Sequence, residues 1–218
     1  MKRMRIAAVL VLLLAGSTTP ALAGPILING SFESGPPMGG NHDINIPQGS
    51  TAIVGWLVTR EDIELLGPPW DVSDGFHAVD LDGYHPGGIE QIFATIAGEI
   101  YEVSFAMSGN PMGSPQVKWL RVSAAGAFAD YAFDSSGQSE SALNWQTNLF
   151  SFTASGSWTT LGFSSLSTDA NASYGALLDD VRVSGPEPVS VPDPGSTLLL
   201  FGMGLVGLRA CRKQWQYQ

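Results

Sequence analysis

The feature that most constrains the fold is a series of short runs in which apolar and polar side chains alternate. In one of them Tyr101, Val103, Phe105 and Met107 share one face, and polar side chains occupy the other. This period of two is typical of a half-buried β-strand. Similar β-branched and aromatic runs recur about every 10 to 15 residues, separated by Gly, Pro, Asn, Asp and Ser clusters. The first strong strand is predicted at Thr51–Val58. No convincing helical period interrupts the series, so the sequence predicts an all-β sandwich or jelly roll.

The N-terminal segment has the pattern of an export signal. Basic residues at its start precede the apolar run Ile6–Ala15, and Ala21–Ala23 have the small-x-small form that signal peptidase cleaves. We therefore predict a signal peptide at residues 1–23. The alternative is an uncleaved N-terminal anchor.

The predicted β-sandwich domain covers residues 24–184 and is strongly acidic. Residues 24–190 hold four Lys and Arg against nineteen Asp and Glu, a net charge of −15. Such a surface repels nucleic acid and anionic membranes, and it suits divalent cations or neutral ligands such as sugars. The alternative is that the charge serves solubility alone. The single cysteine, Cys211, lies in the tail, so core packing or a metal, rather than disulfides, must stabilise the domain.

The C-terminal segment combines three features in a fixed order. A Pro-rich linker at residues 185–196 is followed by a segment at 197–213, predicted to be a hydrophobic helix with a basic end, and then by a short tail at 214–218. The apolar run 197–208 would span about 18 Å as a helix, less than the roughly 30 Å hydrocarbon core of a bilayer. Length alone therefore makes it a poor permanent anchor.

This order resembles the PEP-CTERM sorting signal of Gram-negative bacteria. The matching residues are Val191, Pro192, Asp193 and Pro194, with Asp193 standing where that family usually has Glu. The resemblance implies transient inner-membrane insertion through the C-terminal helix and recognition by an exosortase. It also implies export to the cell envelope, cell surface or extracellular matrix. The alternative is a plain C-terminal anchor.

Three motifs of the domain stand out: "NGSFE" at Asn29–Glu33, the segment Asp74–Thr95 and "LLDDVRV" at Leu177–Val183, accompanied by Gly55-Trp56. In their order and spacing they resemble the choice-of-anchor C family. The resemblance implies a galactose-binding-like β-sandwich, similar to many carbohydrate-binding modules.

The first and third motifs suggest a structural calcium ion. The resemblance implies that Glu33 and an aspartate of the last strand, Asp179 or Asp180, are ligands, and carboxylates are ligands that Ca²⁺ prefers. Alternation predicts Asp179 on the inward face of Val181, and Asp180 in solvent, which favours Glu33 and Asp179. The alternative is that Glu33 caps a turn and Asp179 accepts backbone N–H bonds.

The loops around the second motif suggest a sugar-binding surface. Asp and Gln side chains bind sugar hydroxyls, and aromatic rings stack on the apolar face of a sugar. The predicted ligand-binding residues are Trp70, Asp80, Asp82, Tyr84 and Gln91. For Asp80 the alternative is turn chemistry. Strand periodicity places Trp56 in the core, and it leaves Trp119 and Trp145 undecided.

The sequence favours a non-catalytic protein. It contains neither a G-x-S-x-G nucleophile elbow nor an H-E-x-x-H zinc motif. The predicted function is adhesion to polysaccharide. The alternatives are a structural matrix or biofilm protein with protein partners, and a hydrolase of envelope glycans.

Overall fold

The computed structural model describes residues 26–168 and 173–186, and these residues contain eleven β-strands. The strands are β1 (Asp43–Pro47), β2 (Leu57–Arg60), β3 (Asp62–Leu66), β4 (Ala78–Asp80), β5 (Gly88–Ala94), β6 (Ile100–Gly109), β7 (Val117–Ala124), β8 (Ala127–Asp134), β9 (Gln146–Thr153), β10 (Trp158–Ser165) and β11 (Ala176–Ser184).

The strands form two antiparallel sheets that pack face to face. The six-stranded sheet has the order β1-β3-β4-β11-β6-β9, and the five-stranded sheet has the order β2-β5-β10-β7-β8. The predicted all-β sandwich is therefore confirmed. No helix long and apolar enough to span a bilayer occurs in the described ranges. The predicted signal peptide and C-terminal helix lie outside them.

An aromatic cluster fills the space between the two sheets. Phe105 contacts Phe163 edge to face, with ring centroids 5.2 Å apart, and Trp56 lies 5.4 Å from Phe32. Tyr101 and the other alternating residues of β6 are all buried here, as their spacing predicts. Edge-to-face contacts add to the free energy of burying the rings.

The predicted strand at Thr51–Val58 is wrong for most of its length, because β2 begins only at Leu57. Gly55 has a φ of +87°, a left-handed conformation that ends any extended run. Trp56 turns inward and its Nε1 donates to the carbonyl of Asn29 at 2.9 Å. Its predicted place in the core is confirmed, with 2% of its surface exposed.

A β-bulge in β11 changes which side chains face the core. The register shifts after Asp179, and Asp180 has a φ of +47°. Asp179 pairs with Ala106, whereas Val183 pairs with Val103 of the core face. The extra residue therefore places Asp179 on the outer face of the six-stranded sheet. The prediction that Asp179 shares a face with the core valines is wrong for this reason.

A second, smaller cluster covers part of that outer face. Leu66, Leu143 and Leu177 are buried there, and Trp70 and Trp145 pack against them partly exposed. Loop segments therefore shield this face of the six-stranded sheet from solvent, which explains how Asp179 is buried outside the main core.

Gly30 joins the N-terminal motif to the last strand, and we expect Gly30→Ala to destabilise the domain strongly. A methyl group at this position would overlap the carbonyl oxygen of Val181, whose N–H donates to the carbonyl of Gly30 at 3.0 Å. Because backbone cannot move aside cheaply, we expect a loss of about 3 kcal/mol or more in the free energy of unfolding. Urea denaturation measures it.

Gly156→Ala is the matched control, because the nearest atom to an added methyl group there is the carbonyl oxygen of Trp158 at 4.0 Å. Equal unfolding free energies for the two variants would contradict the proposed close approach.

Candidate functional site

The predicted metal ligand Glu33 binds main-chain amides. Its Oε1 accepts hydrogen bonds from the N–H groups of Phe76 and His77 at 2.8 and 2.9 Å. Gly75 lies against this carboxylate with a φ of +71°, and a methyl group on it would overlap Oε1. Glu33 therefore holds the segment Ser73–His77, which we call the clamped segment.

Asp179 binds the same segment from the last strand. Its Oδ2 accepts hydrogen bonds from the N–H groups of Ser73 and Asp74 at 2.8 and 2.9 Å, and its Oδ1 accepts one from the N–H of Asp180 at 2.6 Å. Burial raises the pKa of Asp179 to about 7, and these three bonds oppose the shift. The two carboxylates thus meet on one loop, although they are far apart in sequence.

The described geometry gives these acids the role of backbone acceptors. Asp180 is turned toward Arg182, whose Nε donates to its Oδ1 at 2.7 Å. Residues 26–168 and 173–186 include no group of three or more His, Cys, Asp and Glu side chains arranged to hold a metal ion. Oε1 of Glu33 and both carboxylate oxygens of Asp179 already accept N–H bonds. Calcium binding by this pair stays a prediction.

Asp80, predicted to bind ligand, lies buried on the outer face of the six-stranded sheet. Its Oδ2 accepts from the Asn110 amide at 2.7 Å, and its Oδ1 accepts from the N–H groups of Asp82 and Gly175 at 2.9 and 3.1 Å. Burial, followed by the charge of Asp82, raises its pKa well above the usual range. The bond to the N–H of Asp82 is the turn chemistry given as its alternative.

The other predicted ligand residues lie in separate places. The buried amide of Gln91 exchanges two hydrogen bonds with the main chain of Ile28, at 2.7 and 2.8 Å. Trp70 packs against the outer-face cluster, and Tyr84 is 62% exposed. Asp82 is buried and lines a cavity. The structure therefore does not bring the five residues into one surface.

We call the cavity at Asp82 the end cavity. It has a volume of about 430 Å³. Described residues of three connections line it, namely Asp82 after β4, Pro115 before β7, and residues 166–168 and 174–175 between β10 and β11. Its described lining residues are Asp82, Pro115, Val117, Lys118, Trp119, Ser165, Leu166, Ser167, Thr168, Tyr174, Gly175 and Ala176.

A second concavity lies on the outer face of the five-stranded sheet, and we call it the sheet-face groove. It has a volume of about 560 Å³. Its lining residues are Glu90, Arg121, Ser123, Ala124, Ala125, Gly126, Ala127, Phe128, Ser155, Trp158, Thr159, Thr160 and Gly162.

Exposed aromatic side chains border the sheet-face groove. Trp158 is 67% exposed and Phe128 is 61% exposed. Gly162 lies between Ser123 and Glu90 on the neighbouring strands and pairs with both. Because it has no side chain, the surface of the groove is lower at this point. The groove thus combines stacking surfaces with polar groups.

Sequence reasoning missed Trp158, although a signal was present. In β10, Thr159, Leu161 and Phe163 are buried, so Trp158 must face outward by alternation. An exposed tryptophan on a strand is costly to leave in water, and it is therefore informative.

Arg121 and Asp130 form the main ion pair of this face. The guanidinium donates from Nε to Oδ1 at 2.6 Å and from Nη2 to Oδ2 at 2.8 Å, and it lies 4.2 Å from the centre of the Phe128 ring. Hydrogen bonding by Arg121 lowers the pKa of Asp130. The pair neutralises both charges and fixes the orientation of Phe128.

Two family models match the chain. Residues 25–184 match a family described as a protein of unknown function (DUF642), and residues 190–213 match the PEP-CTERM protein-sorting motif. The predicted sorting motif is confirmed, and the range Val191–Pro194 lies within it. The narrower resemblance to choice-of-anchor C domains stays a prediction.

Halomucin from Haloquadratum walsbyi (strain DSM 16790 / HBSQ001) contains a similar segment. It is 30% identical over 170 residues, which are 76% of this chain and 2% of halomucin. The chain therefore spans only a small part of this relative.

Three solved structures are similar to the chain at low sequence identity. An arabinose-bound α-L-arabinofuranosidase matches with a TM-score of 0.51 and 14% identity, over 75% of this chain and 27% of that chain. A carbohydrate-binding module in complex with β-1,4-galactotriose matches with a TM-score of 0.48 and 19% identity, over 75% of this chain and all of the other. A family 35 carbohydrate-binding module from Clostridium thermocellum has a TM-score of 0.43 and 12% identity, over 66% and 99% of the two chains.

Buried acids on the outer face of the six-stranded sheet make stability depend on pH. Glu64 lies opposite Asp80 on the neighbouring strand. Burial, followed by the charges of Asp43 and Asp62, raises the pKa of Glu64 to about 7. Together with Asp80 and Asp179, it binds protons more tightly in the folded protein than in the unfolded chain.

We therefore expect the domain to be more stable at pH 5 than at pH 8. A raised folded-state pKa contributes stability that is complete below the ordinary carboxyl pKa and is lost as the pH rises through the folded value. For Glu64 and Asp179 the loss falls between about pH 4 and pH 7. Melting in EGTA should show a midpoint about 5 °C lower at pH 8.

Glu64→Gln should reduce this difference, because the amide does not titrate. Glu99→Gln, at a loop position on the surface, is the control. A melting temperature that rises from pH 5 to pH 8 would contradict the assignment.

Proposed function

The chain belongs to the DUF642 family, and on that premise we propose that it is an exported, non-catalytic protein that binds neutral polysaccharide in the sheet-face groove. The PEP-CTERM motif supports export. Recognition by an exosortase, transient membrane insertion and delivery to the cell surface or extracellular matrix are parts of the same proposal.

The observation that carries the proposal is a pair of exposed aromatic rings beside the groove on the outer face of the five-stranded sheet. Trp158 on β10 and Phe128 at the start of β8 are each more than 60% exposed. Four strands, β5, β10, β7 and β8, lie side by side under the groove, a width of about 14 Å at a strand spacing of about 4.8 Å. That width suits several sugar rings of one chain lying across the sheet.

The charge of the groove favours a neutral glycan. Arg121 is neutralised by Asp130, and Glu90 adds a negative charge to the wall. The hydroxyl groups of Ser123 and Thr160 both donate and accept hydrogen bonds, as sugar hydroxyls do. The net negative charge of the whole domain would also repel an acidic polysaccharide.

The groove gives little support to catalysis. A glycosidase needs one carboxyl group that stays protonated near neutral pH and a second that is ionised. Of the carboxyl groups at the groove, Asp130 has its pKa lowered by its bonds to Arg121, which is the wrong direction for a general acid. A protein-binding matrix role is the second candidate, and it is favoured by Ile92, an aliphatic side chain 60% exposed on the same face.

We expect Trp158→Ala to weaken polysaccharide binding at least about tenfold, which corresponds to about 1.4 kcal/mol. The full chain, kept in a polyoxyethylene detergent that carries no sugar, would be tested by affinity electrophoresis on galactan, β-glucan, xylan and, as an acidic polymer, polygalacturonate. A stacked indole contributes buried apolar area and a directional contact with C–H groups.

Phe76→Ala is the matched control, because Phe76 is equally exposed, at 67%, but lies in the clamped segment of the other sheet. Equal losses in both variants, or binding to polygalacturonate alone, would contradict the proposal. Absence of binding to every glycan would favour the matrix role.

Calcium binding by Glu33 and Asp179 is tested by the melting temperature in Ca²⁺ and in EGTA. If the predicted ion binds, the midpoint rises with Ca²⁺ concentration by linkage, and the rise disappears in Glu33→Gln and Asp179→Asn. If the carboxylates act only as amide acceptors, both variants lower the midpoint equally with and without Ca²⁺.

A further inference from the structure

The end cavity holds two buried groups of opposite charge that the sheet-face groove does not use. Asp82 is 1% exposed and Lys118 is 2% exposed, and both line this cavity. Burying ionisable groups costs free energy unless partners replace the water that they lose. The arrangement of those partners shows what the cavity can bind.

Asp82 has one carboxylate oxygen that lacks a donor at good hydrogen-bond geometry. Its Oδ1 is buried and has no such partner among the described residues. Burial raises the pKa of Asp82, and the hydroxyl groups of Ser165 and Ser167 together with the charge of Lys118 oppose that shift from nearby. Gly175 presses on this side chain so closely that a methyl group there would lie 2.7 Å from the Asp82 Cβ. The carboxylate therefore has little room to move. A buried acceptor without a donor is unfavourable unless a ligand or water donates to it.

Lys118 supplies the complementary donor. Its Nζ donates to the carbonyl oxygens of Gly113 and Tyr174 at 2.8 and 2.6 Å. An ammonium group has three N–H donors, so these two bonds leave a third for a ligand. The bonds also hold the ammonium group at a fixed place in the wall.

The rim of the cavity carries two aromatic rings. Trp119 is 49% exposed and Tyr174 is 41% exposed, and both line the cavity. A methyl group on Gly113 would overlap the Tyr174 ring, so that ring is packed in place. The volume of the end cavity, about 430 Å³, lies in the lower part of the range of small-molecule sites.

These features together select a compact, neutral ligand that carries several hydroxyl groups. The carboxylate of Asp82 would repel an anion, and the ammonium group of Lys118 would repel a cation. A neutral hydroxyl group, in contrast, can donate a hydrogen bond to Asp82 and accept one from Lys118. The aromatic rim suits the C–H face of a sugar ring. Since three chain connections converge on the cavity, it suits the end of a glycan better than a chain that passes through.

We propose that the end cavity is a second carbohydrate site, which takes the terminal residue of a neutral glycan, with Asp82 accepting from and Lys118 donating to its hydroxyl groups. This inference rests on the proposed function for its ligand class. It differs from that function in its site, because it needs Asp82 and a free chain end rather than Trp158 and a long chain.

The test compares short and long glycans on the same full chain in polyoxyethylene detergent. The probes are β-1,4-galactotriose, cellotriose and xylotriose at up to about 10 mM, a range that detects a Kd of about 1 mM. Tryptophan fluorescence reports binding. The matching polymers are tested before and after partial endo-hydrolysis at constant mass, which multiplies chain ends without adding sugar.

We expect at least one trisaccharide to bind, and binding of its polymer to rise with the number of ends. Asp82→Ala should weaken trisaccharide binding at least about tenfold, because it removes the acceptor that faces the ligand. Ser167→Phe fills the cavity from a partly exposed lining position and should have the same effect on binding. Trp158→Ala should leave trisaccharide binding intact.

Two outcomes would overturn the inference. One is that no trisaccharide binds the wild-type chain, and the other is that binding survives both Asp82→Ala and Ser167→Phe. If the wild-type chain binds polymer but no trisaccharide, and Trp158→Ala abolishes the polymer binding, the sheet-face groove is supported as a glycan site and the end cavity is not. If trisaccharides bind in a manner that depends on Asp82 and long polymers do not bind, the proposal for the sheet-face groove is contradicted and the proposal for the end cavity is supported.

Discussion

Two carboxylates that bind the amides of one loop hold together the parts of the domain that are most distant in sequence. Glu33 comes from the first strongly patterned motif and Asp179 from the last strand, and both accept N–H bonds from the clamped segment Ser73–His77. Buried amides need acceptors, and charged acceptors form the stronger bonds. The loop that they fix follows Trp70, which packs against the cluster of Leu66 and Leu177 on the outer face of the six-stranded sheet.

Alternation alone predicted the sandwich and its core, but it could not predict a bulge. The side chains of Tyr101 and Phe105 face inward because β6 keeps a strict period of two. In β11 one extra residue at Asp180 shifts the alternation, so that the side chains before and after it point to opposite faces from those predicted. The bulge lies next to Val181, whose main chain contacts Gly30. A contact between distant segments leaves no local trace in the sequence of the strand.

The site was harder to predict, because the exposure of an aromatic side chain depends on whether loops cover the sheet face from which it projects. Loops and the outer-face cluster cover much of the six-stranded sheet, so Trp70, chosen from its loop, is partly buried. The five-stranded sheet keeps a bare outer face, which makes Trp158 the most exposed tryptophan among the described residues. Asp82, predicted to bind a ligand, lines the end cavity, and its part in binding stays a prediction. The aromatic residues of that cavity come from other parts of the chain.

The pairing of Gly30 with Val181 also orders events during synthesis. These residues are about 150 positions apart, so the N-terminal motif cannot find its partner until nearly the whole domain has emerged from the ribosome or crossed the membrane. Contacts of such long separation form slowly. The sorting motif begins at residue 190, a few residues after the strand that closes the sandwich. A chain in which the sorting motif has been synthesised therefore already contains the eleven described strands of the sandwich.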